Sequence, residues 1–170
     1  MLTKQVVQLM NEQINKEFYS AYFYLHIANY YTEQNLEGFA NWFIVQAQEE
    51  QSHAMLFLQY LQNNGEHIVL QDIKVDDRLF EDYKAPLLAT LEHEESVTAS
   101  IHNIYAVAFE NKEFRTTQFL EWFIKEQGEE EKNAEDLIKK YELFGQDGKG
   151  LYLLNQELAA RVYMPPSLVL

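Results

Sequence analysis

Helix-breaking residues are rare in this chain, and their scarcity limits what it can fold into. Its 170 residues include only six Gly and three Pro, and two of the Pro are adjacent at positions 165 and 166. Apolar residues recur at helical spacing over four stretches, at about residues 3–33, 36–64, 80–111 and 113–144. We therefore predict an all-α protein with four long helices and a short fifth helix at about residues 151–162.

The connections between these helices decide how they are arranged. The first and second helices, and the third and fourth, are joined by only a few residues, so each pair forms an antiparallel hairpin. The 15 residues at 65–79 are instead rich in β-branched and acidic types. When extended they span up to about 50 Å, enough to pass a helix of about 30 residues. The pattern predicts one domain over residues 1–170, a four-helix bundle at about 3–144 with a long crossover between helices two and three.

Charge and cysteine content exclude several classes of function. The chain has 27 acidic and 13 basic residues, a formal net charge of −14, and no cysteine. Without cysteine there are no disulfides, Cys-rich zinc sites, iron–sulfur clusters or thiol nucleophiles, so oxygen and imidazole must hold any metal. The negative charge disfavours nucleic-acid and anionic-membrane partners and favours cations. No stretch approaches the roughly 18 apolar residues of a membrane span and the start lacks a signal-peptide run, so we expect a cytoplasmic protein.

Polar side chains interrupt the predicted core of all four long helices. Alternating steps of four and three residues trace the side of each helix that faces the bundle axis. Besides Gln46 and Thr98, the polar residues on that side are Glu17 in the first helix, Glu50 and His53 in the second, Glu94 in the third, and Gln127 and Glu130 in the fourth. Because Glu17 precedes the first turn by about as many residues as Glu50 follows it, and the second hairpin is similar, these residues lie at one height in the bundle.

Four carboxylates in an apolar layer indicate a metal site. Each ionised group costs several kcal/mol when it is buried alone, and no Lys or Arg occupies the predicted layer. Four Glu and one His without sulfur suit two divalent first-row ions, iron first and then manganese or zinc. Glu50 offers two oxygens from the middle of the ligand sequence, so we assign it as the bridge. Its spacing to His53 matches the Glu-x-x-His motif of carboxylate di-iron bundles, whereas helix four carries Gln127-x-x-Glu130.

The chain resembles bacterial non-haem ferritins along essentially its whole length. The residues that carry the resemblance are Glu17, Tyr24, the run Glu-Glu-Gln-Ser-His at 49–53, Glu94, and the run Glu-Gln-Gly-Glu-Glu at 126–130. They lie on four separate helices, which makes the combination specific. The resemblance implies a ferritin-like four-helix bundle that contains a ferroxidase centre.

The resemblance also implies how the iron would be held. One iron would be bound by Glu17, Glu50 and His53, and the other by Glu50, Glu94 and Glu130, with Gln127 as a weak contact. A third iron site would be formed by Glu49, Glu126 and Glu129, with help from Glu130. Tyr24 would reduce the oxidised centre, although packing is an equal alternative in a chain with 11 Tyr.

The function implied by the resemblance is iron storage. The protein would oxidise Fe2+ to Fe3+ with O2 or H2O2 and keep the product as ferric oxyhydroxide mineral inside a homo-oligomer of 24 subunits. The fifth helix would lie at the four-fold axes, with residues 151–154 and Leu158 in contacts between subunits. Bacterioferritins have a haem-binding Met after the bridging Glu and a second Glu-x-x-His. This chain has Gln51 and Glu130 at those positions, so no haem is expected.

Two other classes of function stay open from the residues alone. A di-metal enzyme acting on an organic substrate would need a roomy apolar pocket over the metals, and it leaves the apolar fifth helix unexplained. A metal-free helical interaction protein would keep the polar layer for specificity. Iron binding and the size of the assembled particle separate both alternatives from storage.

Overall fold

The computed structural model describes residues 2–74 and 77–170, and within these ranges it contains five α-helices and no strand. They are α1 (Lys4–Glu33), α2 (Glu37–Asn63), α3 (Ala85–Glu110), α4 (Phe114–Phe144) and α5 (Gly148–Leu158). The predicted all-α bundle with a short fifth helix is therefore confirmed. None of the helices in the described ranges is both long and apolar enough to cross a membrane. Met1 and positions 75 and 76 of the predicted crossover lie outside the described residues.

The crossover between α2 and α3 follows α1. Near its beginning, the backbone N–H of Val69 donates to Asn11 Oδ1 at 2.7 Å. Near its end, the Tyr31 hydroxyl donates to the carbonyl oxygen of Tyr83 at 2.6 Å. The contacts advance along α1 as the crossover advances, so the chain returns to the end of the bundle where α2 began. This places α3 parallel to α2, as the length of the connection predicted.

Two helix starts differ from the predicted boundaries because local side chains set them. The third helix begins at Ala85 rather than at about residue 80, since Asp82 Oδ1 accepts hydrogen bonds from the N–H groups of Lys84 and Ala85. The fifth helix begins at Gly148 rather than 151 and ends at Leu158 rather than 162. Asp147 caps its first turn by accepting from the N–H groups at positions 149 and 150.

The core of the bundle consists of two apolar clusters with polar residues between them. One cluster includes Phe23, Phe39, Leu87 and Leu137, among others. The other includes Met10, Phe57, Ile101 and Leu120, among others. On each long helix, the sequence stretch between the two clusters is the one that contains the predicted polar residues. The polar layer is thus in the middle of the bundle, with apolar packing above and below it.

The fifth helix packs against the first turn of α2 and against α4. Asn155 Oδ1 accepts from the N–H groups of Gly38 and Phe39 at 2.8 and 3.2 Å, and so caps a helix that has no side-chain cap of its own. A Cβ at position 38 would lie 1.7 Å from the carbonyl oxygen of Asn155, so only glycine fits there. Leu154 and Leu158, expected to contact other subunits, are buried within this chain.

Candidate metal centre

The structure places all six predicted polar residues of the layer in the interior. None of them is more than 4% exposed: Glu17, Glu50, His53, Glu94, Gln127 and Glu130. Within residues 2–74 and 77–170, no Lys or Arg is among the buried side chains. The carboxylates of the layer therefore lack a buried protein cation.

Two groups of three potential ligands come close enough to share one ion. Glu17, Glu50 and His53 each offer an atom within 4.8 Å of the others, and so do His53, Glu126 and Glu130. His53 is common to both groups, and its Nδ1 is 3.6 Å from Glu50 Oε2. The first group is one of the two iron positions that the resemblance implied. The second differs from both, because it contains Glu126 and not Glu94.

Glu94 lies in the layer, but both of its carboxylate oxygens already have protein donors. The Tyr24 hydroxyl donates to Oε1, and Gln127 Nε2 donates to Oε2 at 3.1 Å. Gln127 is also 3.3 Å from the hydroxyl oxygen of Thr98. Tyr24 is fully buried, so the phenol is both a packing residue and a direct partner of a predicted iron ligand.

Two buried glutamines complete the layer: Gln13, which the sequence analysis missed, and Gln46, which it placed on the inward side of α2 without giving it a role. Gln13 Nε2 donates to Glu17 Oε1 at 2.8 Å. Gln46 Nε2 donates to Glu130 Oε2 at 2.7 Å and to Glu50 Oε1 at 3.3 Å. The signal available in the sequence was the shared spacing Gln-x-x-x-Glu in α1 and α2, which places the two side chains one helical turn apart.

Two buried oxygens in this layer have no hydrogen-bond partner within the described chain, Glu17 Oε2 and Gln46 Oε1. Buried acceptors without a donor are rare in proteins, because each loses its hydration without replacement. Both belong to the side chains that surround Glu50. Oxygen acceptors, one imidazole and uncompensated negative charge together form a donor set that fits divalent iron, manganese or zinc.

Burial shifts the acids of the layer toward their neutral forms. Loss of hydration, added to repulsion from Glu50, raises the pKa of Glu17 well above its ordinary value of 4.5. Burial and the nearby Glu94 likewise raise the pKa of Glu50 and of Glu130 well above that value. The pKa of Glu94 is raised by burial, and the hydrogen bonds from Tyr24 and Gln127 counteract part of this. A bound cation would reverse these shifts, because it favours the ionised carboxylates.

The three acids of the implied third site have different surroundings. Glu49 Oε2 is 2.5 Å from Arg161 Nη2. Glu129 is exposed, and its Oε1 lies 3.3 Å from Nζ of Lys125, which is one turn earlier on the same helix. Only Glu126 joins a three-ligand group, the one with His53 and Glu130. Arg161 is a partner of Glu49 that the sequence analysis did not foresee.

Comparisons with known proteins support the resemblance seen in the sequence. A model of the ferritin family, described as a ferritin-like domain, matches residues 7–144. The bacterial non-heme ferritin of Campylobacter jejuni is 37% identical over 156 residues, which cover 92% of this chain and 93% of that protein. A humanized archaeal ferritin has a TM-score of 0.95 at 41% identity, covering 97% of this chain and 100% of its own. An open-pore ferritin from the archaeon Archaeoglobus fulgidus has a TM-score of 0.93 at 37% identity, with coverage of 95% and 100%.

The raised pKa values predict how the cation-free protein responds to pH. Each carboxyl of the layer holds its proton more tightly in the folded chain than in the unfolded one. The contribution of these carboxyls to the free energy of unfolding should therefore be fully present below the ordinary pKa of 4.5 and should be lost as the pH rises through the raised values. Thermal unfolding of chelator-treated protein between about pH 5 and about pH 8 measures this slope.

Matched variants separate this effect from the general repulsion of an acidic protein. Glu17→Gln should flatten the slope, whereas Glu95→Gln, which removes an exposed acid, should leave it unchanged. Added Zn2+ should stabilise the protein most at the alkaline end, because metal binding displaces the protons. Equal slopes for the two variants would show that the layer does not control the pH dependence.

Proposed function

The chain belongs to the ferritin family, and on this premise we propose that it stores iron, oxidising Fe2+ to Fe3+ with O2 or H2O2 and keeping the product as ferric oxyhydroxide mineral. The observation that carries this proposal is the buried layer of four carboxylates with no buried protein cation in the described chain. Such a layer is costly when empty and favourable when divalent cations enter it. The ferritin relatives supply the identity of the cation.

We propose that Fe2+ binds first among Glu17, Glu50 and His53. Their ligand atoms are already within 4.8 Å of one another, and no residue in the described part of the chain donates a hydrogen bond to Glu17 Oε2. The second Fe2+ would take Glu50, Glu94 and Glu130, with Glu50 as the bridge. Its binding has to displace or share the hydrogen bonds that Tyr24 and Gln127 make to Glu94. Gln127 then serves as a weak contact that restrains Glu94.

Two bound Fe2+ ions are the electron donors of the proposed reaction. Together they supply the two electrons that reduce one H2O2 to water, or one O2 to H2O2. Four ionised Glu match the four positive charges of two Fe2+ and favour the more highly charged Fe3+ product. Tyr24 is proposed as an additional one-electron reductant, since its hydroxyl donates a hydrogen bond to Glu94, a proposed ligand of the second iron.

A third iron position and a closed shell complete the proposal. Glu126 with Glu130 would receive iron that leaves the centre, with Glu49 and Glu129 contributing if their basic partners release them. The chain is proposed to act as one ferritin-like domain in a shell of 24 subunits. Exposed Tyr152 on α5 is available for contacts between subunits. The absence of haem and a cytoplasmic location stay predictions from the sequence.

Rapid mixing of Fe2+ with aerated protein tests the oxidation step. Glu50→Gln keeps the shape of the side chain but removes the charge of the bridge. It should slow Fe2+ oxidation by more than about 10-fold, the lower limit for loss of groups that merely support a ligand. The variant Glu95→Gln, which replaces an exposed acid on α3, should oxidise Fe2+ at the same rate as the unmodified protein. An unchanged rate in Glu50→Gln would reject this site for the reaction.

Particle size distinguishes storage from an enzyme that acts on an organic substrate. A shell of 24 chains of 20.1 kDa has a mass of about 480 kDa (24 × 20.1 kDa). Size-exclusion chromatography with light scattering should give this mass. A monomer or dimer that oxidises Fe2+ would instead favour a di-metal enzyme, because it encloses no cavity for mineral.

Removal of Arg161 should make Glu49 available to iron. Its guanidinium pairs with Glu49, donates to the Trp42 carbonyl at 3.1 Å and lies 4.2 Å from the centre of the Trp42 ring. A partly exposed ion pair contributes up to about 1 kcal/mol, so Arg161→Gln should strengthen the weakest Fe2+ binding step about two- to fivefold. Anaerobic calorimetric titration measures that step. Arg115→Gln, which removes an exposed cation elsewhere, should leave it unchanged.

A further inference from the structure

A chain of hydrogen bonds joins the protein surface to Glu17 in the buried layer. The exposed Lys16 donates from Nζ to Ser100 Oγ at 2.7 Å. The Ser100 hydroxyl donates to Gln13 Oε1 at 2.7 Å. Gln13, which is fully buried, donates from Nε2 to Glu17 Oε1 at 2.8 Å. Three short bonds thus connect α1 to α3 and back to α1.

The direction of this chain is fixed by the chemistry of its ends. An ammonium group has donors and no acceptor, so Lys16 uses Ser100 Oγ as an acceptor. At the other end, the ionised form of Glu17 that binds a cation can only accept, and the single hydroxyl proton of Ser100 is donated to the carbonyl oxygen of Gln13. The Gln13 amide must consequently turn its NH2 group toward Glu17. A flipped amide would place two oxygens together at an ionised Glu17.

This series of hydrogen bonds determines which carboxylate oxygen of Glu17 remains available to a cation. Oε1 is occupied by the Gln13 amide, whereas Oε2 is buried with no hydrogen-bond donor among residues 2–74 and 77–170. Glu17 belongs to the three-ligand group with Glu50 and His53. We propose that Lys16, Ser100 and Gln13 are positioning residues that hold Glu17 ready to bind Fe2+ through Oε2. This inference rests on the proposed function, because it assigns the role of residues that support the same iron site.

The other glutamine at this spacing lacks such an anchor. Gln46 donates to Glu50 and Glu130, but its Oε1 has no hydrogen-bond partner within the described residues. Its amide is therefore held at one end, whereas that of Gln13 is held at both. Fixed outer partners orient metal ligands and raise affinity, and their loss typically costs about 10- to 100-fold in binding. The anchored ligand is thus the one on the α1 side of the layer.

Ser100→Ala tests the proposal, because it removes one hydroxyl from a half-buried position and keeps the helix. Anaerobic titration should show Fe2+ binding at the first site weakened about 10-fold. The visible spectrum of bound Co2+, which reports ligand geometry, should change as well. Ser100→Thr restores a hydroxyl and should restore both readouts. Ser96→Ala deletes an exposed hydroxyl on the same helix that donates to the His93 carbonyl, and should behave as the unmodified protein.

A double variant tests whether Ser100→Ala weakens Fe2+ binding through Glu17. In Glu17→Gln, the further change Ser100→Ala should no longer weaken Fe2+ binding, because residues of one network are not additive. Persistence of the full 10-fold loss in that background would overturn the proposal. Equal affinity and equal Co2+ spectra for Ser100→Ala and the unmodified protein would overturn it while leaving the iron site intact. Failure of the unmodified protein to bind Fe2+ would overturn the proposed function as well.

Discussion

Burial of acids without a protein counter-ion is the constraint on which the rest of this structure depends. Four glutamates lie between two apolar clusters, where an ionised carboxylate loses its hydration on every side. In the absence of metal, loss of hydration and repulsion between the carboxylates favour the protonated forms and raise the pKa values of Glu17, Glu50 and Glu130 well above 4.5. A bound cation instead favours the ionised carboxylates and neutralises their negative charge by pairing with it. Folding stability and metal binding are therefore coupled through the same side chains.

Neutral donors determine how that negative charge is presented. Gln13, Gln46 and Gln127 each donate an amide N–H to a carboxylate of the layer. An amide satisfies one oxygen without neutralising the group, whereas Lys or Arg at the same place would compete with iron for the charge. The contrast is visible at Glu49, where Arg161 does compete. Glutamine in the layer therefore leaves the carboxylate charge available to a cation, whereas arginine at its edge neutralises that charge.

Periodicity and turn-to-turn height were sufficient to predict the helices and the layer, because both follow from regular helix geometry. Glu17 and Glu50 are level since helices of equal rise leave one turn in opposite directions. The pairing of Glu49 with Arg161 did not follow, because it depends on how the segment after α5 returns to α2. The role of Gln13 was hidden for a similar reason: its anchor, Ser100, is on another helix, and no pattern within α1 indicates it. The starts of α5 and α3 were readable in principle, since Asp147 is an ordinary N-cap residue and Pro86 lies in the first turn of α3, where proline is favoured.

The carboxylates on the two sides of the layer differ in their hydrogen bonds, and this difference sets the order in which two cations would bind. On the α1–α2 side, Glu17 keeps one oxygen free and the other fixed. On the α3–α4 side, both oxygens of Glu94 are held by Tyr24 and Gln127. A first cation meets a Glu17 oxygen that receives no amide or phenol donor from the described residues and displaces only carboxyl protons, whereas a second must also exchange the hydrogen bond from the Tyr24 phenol. Whether Tyr24 keeps its hydrogen bond to Glu94 thus depends on whether the second metal position is filled. Among the described residues, Tyr24 is the only tyrosine whose hydroxyl donates to a carboxylate of the layer, so its hydrogen bonding reports when both metal positions are occupied.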